Sequence, residues 1–277
     1  MQKAKAFTLI ELLVVIAIIA LLLSIVMPAL RMAKDHAKRI GCSANLRSLA
    51  MAAIFYAGDN DSLTPSSSNT WNDNGVVRAG WVGQTSDSSH TALDVQVQIY
   101  GNGIDEFTGL HKAQLWDYIE TIEAWRCPTD PDKEQLRSYC MAAQWWGTHT
   151  NADDSVWYDT QTTGLVYRKI SDVKSSSQRF LFVDAVGSNM DAYFALWYSK
   201  PQWWNIPQFN HGGGSVNGFA DGHVEGYKMD ADTVKRATEA VGDGTGVIPG
   251  YKMLPDDLPD SKDLKYYQRA TWGKLGW

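Results

Sequence analysis

From Phe7 to Met27 the chain reads FTLIELLVVIAIIALLLSIVM, twenty-one residues in which only Thr8, Glu11 and Ser24 are polar. A helix of about 20 apolar residues crosses the hydrocarbon core of a bilayer, so this run has the length and chemistry of a membrane span. The six residues before it, MQKAKA, carry Lys3 and Lys5. Basic residues favour the cytoplasmic side, which predicts that everything beyond Met27 lies outside. No A-x-A-like cleavage site follows Met27, and the run is long for the apolar part of a secretory signal. Glu11 is the anomaly. An ionised carboxylate at membrane depth costs roughly 3 kcal/mol on insertion scales, and it marks a site that needs a partner. A plain signal anchor has no use for it.

Beyond Pro28, which is expected to kink or loosen the helix, ALRMAKDHAKRIGCSANLRSLAMAAIFYAGDN keeps a helical rhythm. Leu30, Ala33, Ala37, Ile40, Ala44, Leu46, Leu49, Ala53 and Tyr56 fall on one broad stripe. Gly58-Asp59-Asn60 is a stop signal. Phe7 to Ala57 therefore predicts one helix, about 75 Å long at about 1.5 Å per residue. Residues 59–90 read as a long polar loop, and 93–100 (LDVQVQIY) alternate as a half-buried strand does. Residues 110–125 suggest a short amphipathic helix, and RFLFVD at 179–184 a compact strand. In SVNGFADGHVEGYK, Asp221-Gly222 predicts a two-residue hairpin turn, with Phe219 opposite Val224 and Val216 opposite Tyr227. Asp230 is expected to cap a helix running to about Val241. Residues 242–277 read as an irregular tail.

Several stretches resemble one family. KAKA-FTLIELLVVIAIIALL is similar to the class III signal of type IV pilins and type II secretion pseudopilins. C-S-A-N-L-R-S-L at 42–49, R-C-P-T-D at 126–130 and S-Y-C-M-A at 138–142 resemble elements of pseudopilin-like proteins with long C-terminal domains. His211, nine residues, then Asp221-Gly222 matches the H-X9-DG pattern of many prepilin-type proteins. Two departures stand out: Ala6 occupies the usual Gly position before the cut, and the Asn of the S-Y-x-x-N element is missing.

The resemblance implies that a prepilin peptidase cuts between Ala6 and Phe7, that Phe7 is N-methylated, and that Glu11 pairs with a neighbouring subunit's N-terminal amine. It also implies an α+β ladle, in which a long N-terminal helix packs against a C-terminal antiparallel sheet with large loop insertions. The expected divisions are a leader at 1–6, a membrane helix at 7–27, the outer half-helix at 28–58, a globular domain at 59–241 and a tail at 242–277. The partners are the peptidase, identical or related subunits, a secretion or pilus assembly platform, and membrane lipid before assembly. The location is the bacterial inner membrane, single-pass with a cytoplasmic N-terminus, or the filament.

The net charge of −6 in 277 residues gives no basic excess for nucleic acid. Three cysteines leave three arrangements open: a Cys42–Cys127 bridge, a Cys127–Cys140 bridge, or free thiols. Asp184, His211 and Asp221, with His223, are weak metal candidates. Carboxylates suit Ca²⁺ and imidazole a transition metal, but the turn explains Asp221, and bonds within the Gly212–Gly214 loop explain His211. No cofactor is expected, Ca²⁺ being the one weak candidate. Trp145-Trp146 and Trp203-Trp204 offer a platform for glycan or protein, which frames an alternative reading: an anchored binding module that never polymerises. No G-x-S-x-G, H-E-x-x-H or P-loop motif is present, so no enzyme is expected.

Overall fold

The computed structural model describes residues 8–67, 70–73, 76–81, 114–130, 137–145, 164–185, 193–241 and 261–276. Its axis is α1, Leu9–Asp59, an uninterrupted helix of 51 residues. The helix continues through Pro28, so the expected kink does not end it. Thr8 is its N-cap, and the Glu11 side chain answers in a reciprocal capping box.

α1 has two environments. Through Ala37 every described side chain is exposed, including Leu9 at 82% and Leu30 at 65%. From Cys42 onward, Cys42, Leu46, Leu49, Ala50, Ala53 and Ala57 turn a buried stripe to the domain. Ile40 and Ala44, expected on that stripe, are exposed. The covered face is narrower than the apolar face, and small alanines within it let a sheet approach closely.

That sheet has five strands: β3 (Tyr139–Ala142), β4 (Phe180–Asp184), β5 (Tyr193–Phe194), β6 (Gly214–Phe219) and β7 (Val224–Lys228). The order is β5-β3-β4-β6-β7. Three pairings are antiparallel and the β3–β5 edge is parallel, so the sheet is mixed rather than wholly antiparallel. A further hairpin, β1 (Thr70–Asp73) with β2 (Val76–Ala79), occupies part of the stretch expected as loop. The RFLFVD strand forms as expected. The region around 110–125 does not form an amphipathic α-helix in its described part, which makes two short 3₁₀ turns, Trp116–Tyr118 and Ile122–Trp125. The strand expected at 93–100 lies outside the described residues.

The β6–β7 register differs by one from the sequence reading: Gly218 pairs with Val224, and Val216 with Gly226. Phe219 N–H donates to His223 O, Gly222 N–H donates to Phe219 O, and Gly222 holds φ 87°. The loop therefore has three residues and ends in a left-handed glycine, the bulged alternative to a two-residue turn. Val216 and Gly218 share one face of β6, and that face meets α1, Gly218 lying close to Leu46 O and Ala50.

The other sheet face is also covered. α2, Ala231–Val241, forms as expected. The tail is not irregular throughout, because Lys262–Trp272 is a helix, α3, capped by Ser261 and stopped by Gly273 at φ 85°. Tyr267 of α3 is fully buried against Phe180, Phe194 and Trp203. Its hydroxyl bonds Ser215 and Asn217, the side chains of β6 that point away from α1. The sheet lies between α1 and α3. That layering explains why every residue of β4 and β6 is buried while β7 is not.

Candidate functional site

Two regions carry candidate function: the bare end of α1, and a buried group of side chains where α1 meets the domain.

At the first, Thr8 N–H and Thr8 Oγ1 each donate to Glu11 Oε2 at 2.8 Å, and Glu11 N–H donates to Thr8 Oγ1 at 3.3 Å. The carboxylate thereby satisfies orphan groups at its own helix start. Ala6 and Phe7 lie outside the described residues. From Leu9 to Met27 the apolar side chains form a surface with no protein cover, and α1 is long and apolar enough to cross a membrane.

At the second, four elements converge. Cys42 comes from α1 at the point where burial begins. Cys127 lies in the loop before β3, drawn to α1 by Asn45, whose Nδ2 donates to Glu123 O at 2.9 Å and Arg126 O at 2.8 Å. Cys127 N–H donates to Ser138 Oγ at 3.1 Å, and Ser138 in turn donates to Asp130. Asp184 ends β4 in register with Tyr139. His211 opens the glycine loop before β6, where Gly212 at φ 69° and Gly213 at φ 79° turn the chain back.

These four residues are buried, and their ligand atoms all lie within 4.8 Å of one another. Cys127 Sγ is 3.3 Å from His211 Nε2, His211 Nε2 is 3.4 Å from Asp184 Oδ2, and Cys42 Sγ is 3.5 Å from the same oxygen. Thr129 Oγ1 is 3.0 Å from Cys127 Sγ, and Tyr139 donates its hydroxyl to Cys42 Sγ at 3.3 Å. The main chain of His211 does bond within its loop, N–H to Gly214 O. Its imidazole does not, and reaches across the fold instead.

Burial pushes the Asp184 carboxyl well above the usual range, helped by negative charge on Cys127 and opposed by His211. Burial likewise raises Cys42, as do its bond to Cys127 and the nearby Asp184 charge. The hydrogen bond from Cys42 does most to lower Cys127, to about 4; burial opposes it, and His211 and Thr129 assist. Burial acts to lower His211, but Asp184 and Cys127 outweigh it and lift the imidazole to about 9.

This is not the geometry of nucleophilic catalysis. A triad places the nucleophile and the carboxylate on opposite nitrogens of the imidazole. Here both approach Nε2, and the group has no exposed face for a substrate. The sequence reading placed Asp184 with His211, and Cys42 near Cys127, but did not join the two pairs. Asp221 is elsewhere: it sits at the hairpin tip and accepts from His223 N–H at 3.1 Å. Cys140 is buried outside the group, its sulfur accepting from Arg137 at 3.7 Å. Cys42 and Cys127 are side by side as unbridged thiols.

Of the expected aromatic platform, Trp145 and Trp203 are core residues, 0% and 1% exposed. Trp145 Nε1 donates to Phe180 O at 2.9 Å. Trp204 is half-buried, edge-on to Trp197. Trp146 lies outside the described residues.

Among known proteins, the family model of the prokaryotic N-terminal methylation motif matches residues 1–27. That match supports a type IV pilin-like protein. The motif implies processing by prepilin peptidase and assembly with pilin subunits. No curated protein and no solved structure matches the chain. The pilin-like reading therefore rests on the motif together with the α+β arrangement of long helix and sheet.

Proposed function

We propose that this pilin-like chain is a structural subunit of a type II secretion pseudopilus or a type IV pilus-like filament, of the group bearing the H-X9-DG hairpin. The precursor rests in the inner membrane with its N-terminus in the cytoplasm. Cleavage between Ala6 and Phe7 and methylation of Phe7 leave the apolar helix in place. Assembly then exchanges lipid contacts for contacts with sister helices.

One observation carries this reading: a methylation motif heads a helix whose first half is apolar and bare and whose second half is covered by its own domain. Lipid tails are as apolar as leucine, so packing and polar contacts decide helix association in a membrane. Glu11 supplies such a contact. It is stored in the Thr8 capping box and released to a neighbour's amine when the filament forms. The rival reading, an anchored module that binds glycan through tryptophans, loses Trp145 and Trp203 to the core.

The test is co-expression with prepilin peptidase and an assembly platform. The native chain should lose its leader and enter the sheared filament fraction. Glu11→Ala should still be cleaved but should stay with the membrane. Equal filament yields from both chains would refute the assembly role.

A further inference from the structure

We propose that Cys42, Cys127, Asp184 and His211 bind one divalent transition metal, of the zinc class, at the junction of α1 and the globular domain. The claim goes beyond filament assembly and does not depend on it.

Zinc bonds of about 2.3 Å to sulfur and about 2.0 Å to nitrogen or oxygen, set tetrahedrally, place S···N and S···O edges at about 3.5 Å and N···O edges at about 3.3 Å. The edges are 3.3 Å for Cys127 Sγ to His211 Nε2, 3.5 Å for Cys42 Sγ to Asp184 Oδ2, and 3.4 Å for His211 Nε2 to Asp184 Oδ2. The remaining edges fall within 4.8 Å. Three edges therefore match a zinc site, and all four donors lie close enough together to share one ion.

Hydrogen bonding leaves this group incomplete. His211 Nε2 is approached by Cys127 Sγ, Asp184 Oδ2 and Thr129 Oγ1, yet carries at most one proton. Asp184 is fully buried, and its Oδ1 has no hydrogen-bond partner. Leaving a buried polar atom unsatisfied costs about 1–3 kcal/mol. A dication at the shared centre takes lone pairs from both sulfurs, Nε2 and the carboxylate together, which a single proton on Nε2 cannot do.

Tyr139 O–H points at Cys42 Sγ, and Thr129 Oγ1 lies 3.0 Å from Cys127 Sγ, so each sulfur has a hydroxyl beside it. Such donors stabilise metal-bound thiolates and fix their orientation. Two sulfurs with imidazole and carboxylate suit zinc far better than Ca²⁺ or Mg²⁺, which prefer oxygen ligands. On binding, both sulfurs are thiolates, the imidazole is neutral with its proton on Nδ1, and the displaced protons go to solvent. The ligands come from α1, a loop, a strand end and a glycine turn, so the metal fastens the domain to its stalk. It also holds Cys42 and Cys127 as thiolates, out of reach of disulfide formation in an oxidising compartment.

The test uses the full chain, purified in detergent without a polyhistidine tag. Elemental analysis should find about one equivalent of zinc per chain. Cys42→Ser and His211→Gln should lose it, whereas Cys140→Ser, outside the group, should retain it. Because the ligand variants can misfold, the native chain is also loaded with Co²⁺. A tetrahedral visible band with thiolate charge-transfer absorption, displaced by Zn²⁺, is the expected spectrum. A weak octahedral spectrum, zinc retained in the ligand variants, or a Cys42–Cys127 disulfide in non-reducing peptide maps would overturn the proposal.

Discussion

Asn45 shows how a single side chain can place a site without belonging to it. Its amide donates to two carbonyls, Glu123 O and Arg126 O, one residue before Cys127. Asn45→Ala strands the partly buried Arg126 O, leaves Glu123 O to Arg126 N–H alone, and frees the loop that carries Cys127. The expected cost is about 1–3 kcal/mol, read as a lower unfolding midpoint of the detergent-solubilised chain, with metal content falling alongside it. At this scale the sequence was legible in pairs. Asp184 at a strand end and His211 before glycines were recognisable as polar residues in unusual places, and Cys42 could be matched to Cys127. Their convergence was not legible, because it depends on how β4 and the glycine loop close over α1, separations of 142 residues for Cys42–Asp184 and 84 for Cys127–His211. The tryptophans misled in the other direction. Size and amphipathic character suit both a platform and a core, and the core took Trp145 and Trp203.

Among the elements, α1 was the most legible, since twenty-one apolar residues followed by a 3.6-residue rhythm admit little else. The hairpin was legible except for its loop. Asp-Gly signals a two-residue turn, but Gly222 here closes a three-residue bulged loop. A side chain at Gly222 would have to adopt φ 87° and would meet Met51 Sδ at 3.0 Å. Gly222→Ala should therefore cost about 1–3 kcal/mol, measured as a lower thermal midpoint against native protein. α3 was the helix missed. Its signals were present in Ser261 as cap, Leu264, Tyr267 and Trp272 on one face, and Gly273 as stop, but Gly, Pro and Asp in the preceding residues obscured them. Trp272 is 1% exposed and donates to Leu196 O at 3.2 Å. Trp272→Ala should cost about 3–5 kcal/mol and make the C-terminal segment sensitive to limited proteolysis. Unchanged proteolysis would mean that α3 is not needed to close the second face of the sheet.

Across the whole molecule, the division of α1 governs the account. Its outer half is one wall of a domain whose central strands are covered on both faces, so burying that core does not call on lipid. Its inner half is apolar, uncovered and headed by a carboxylate folded back on Thr8. A surface of that kind persists only in a membrane or among other helices. The metal proposed at the junction would keep the domain from working loose from α1 under load. Chelating it should lower the unfolding midpoint of native protein but not that of Cys42→Ser, which separates a structural ion from a passenger.

The most direct test of the central claim is the intact mass and N-terminal peptide of the protein recovered from cells that contain prepilin peptidase. The account requires a chain that begins at monomethylated Phe7 and retains the entire apolar helix. A chain that still begins at Met1, or one that has lost the segment through Met27, would contradict it.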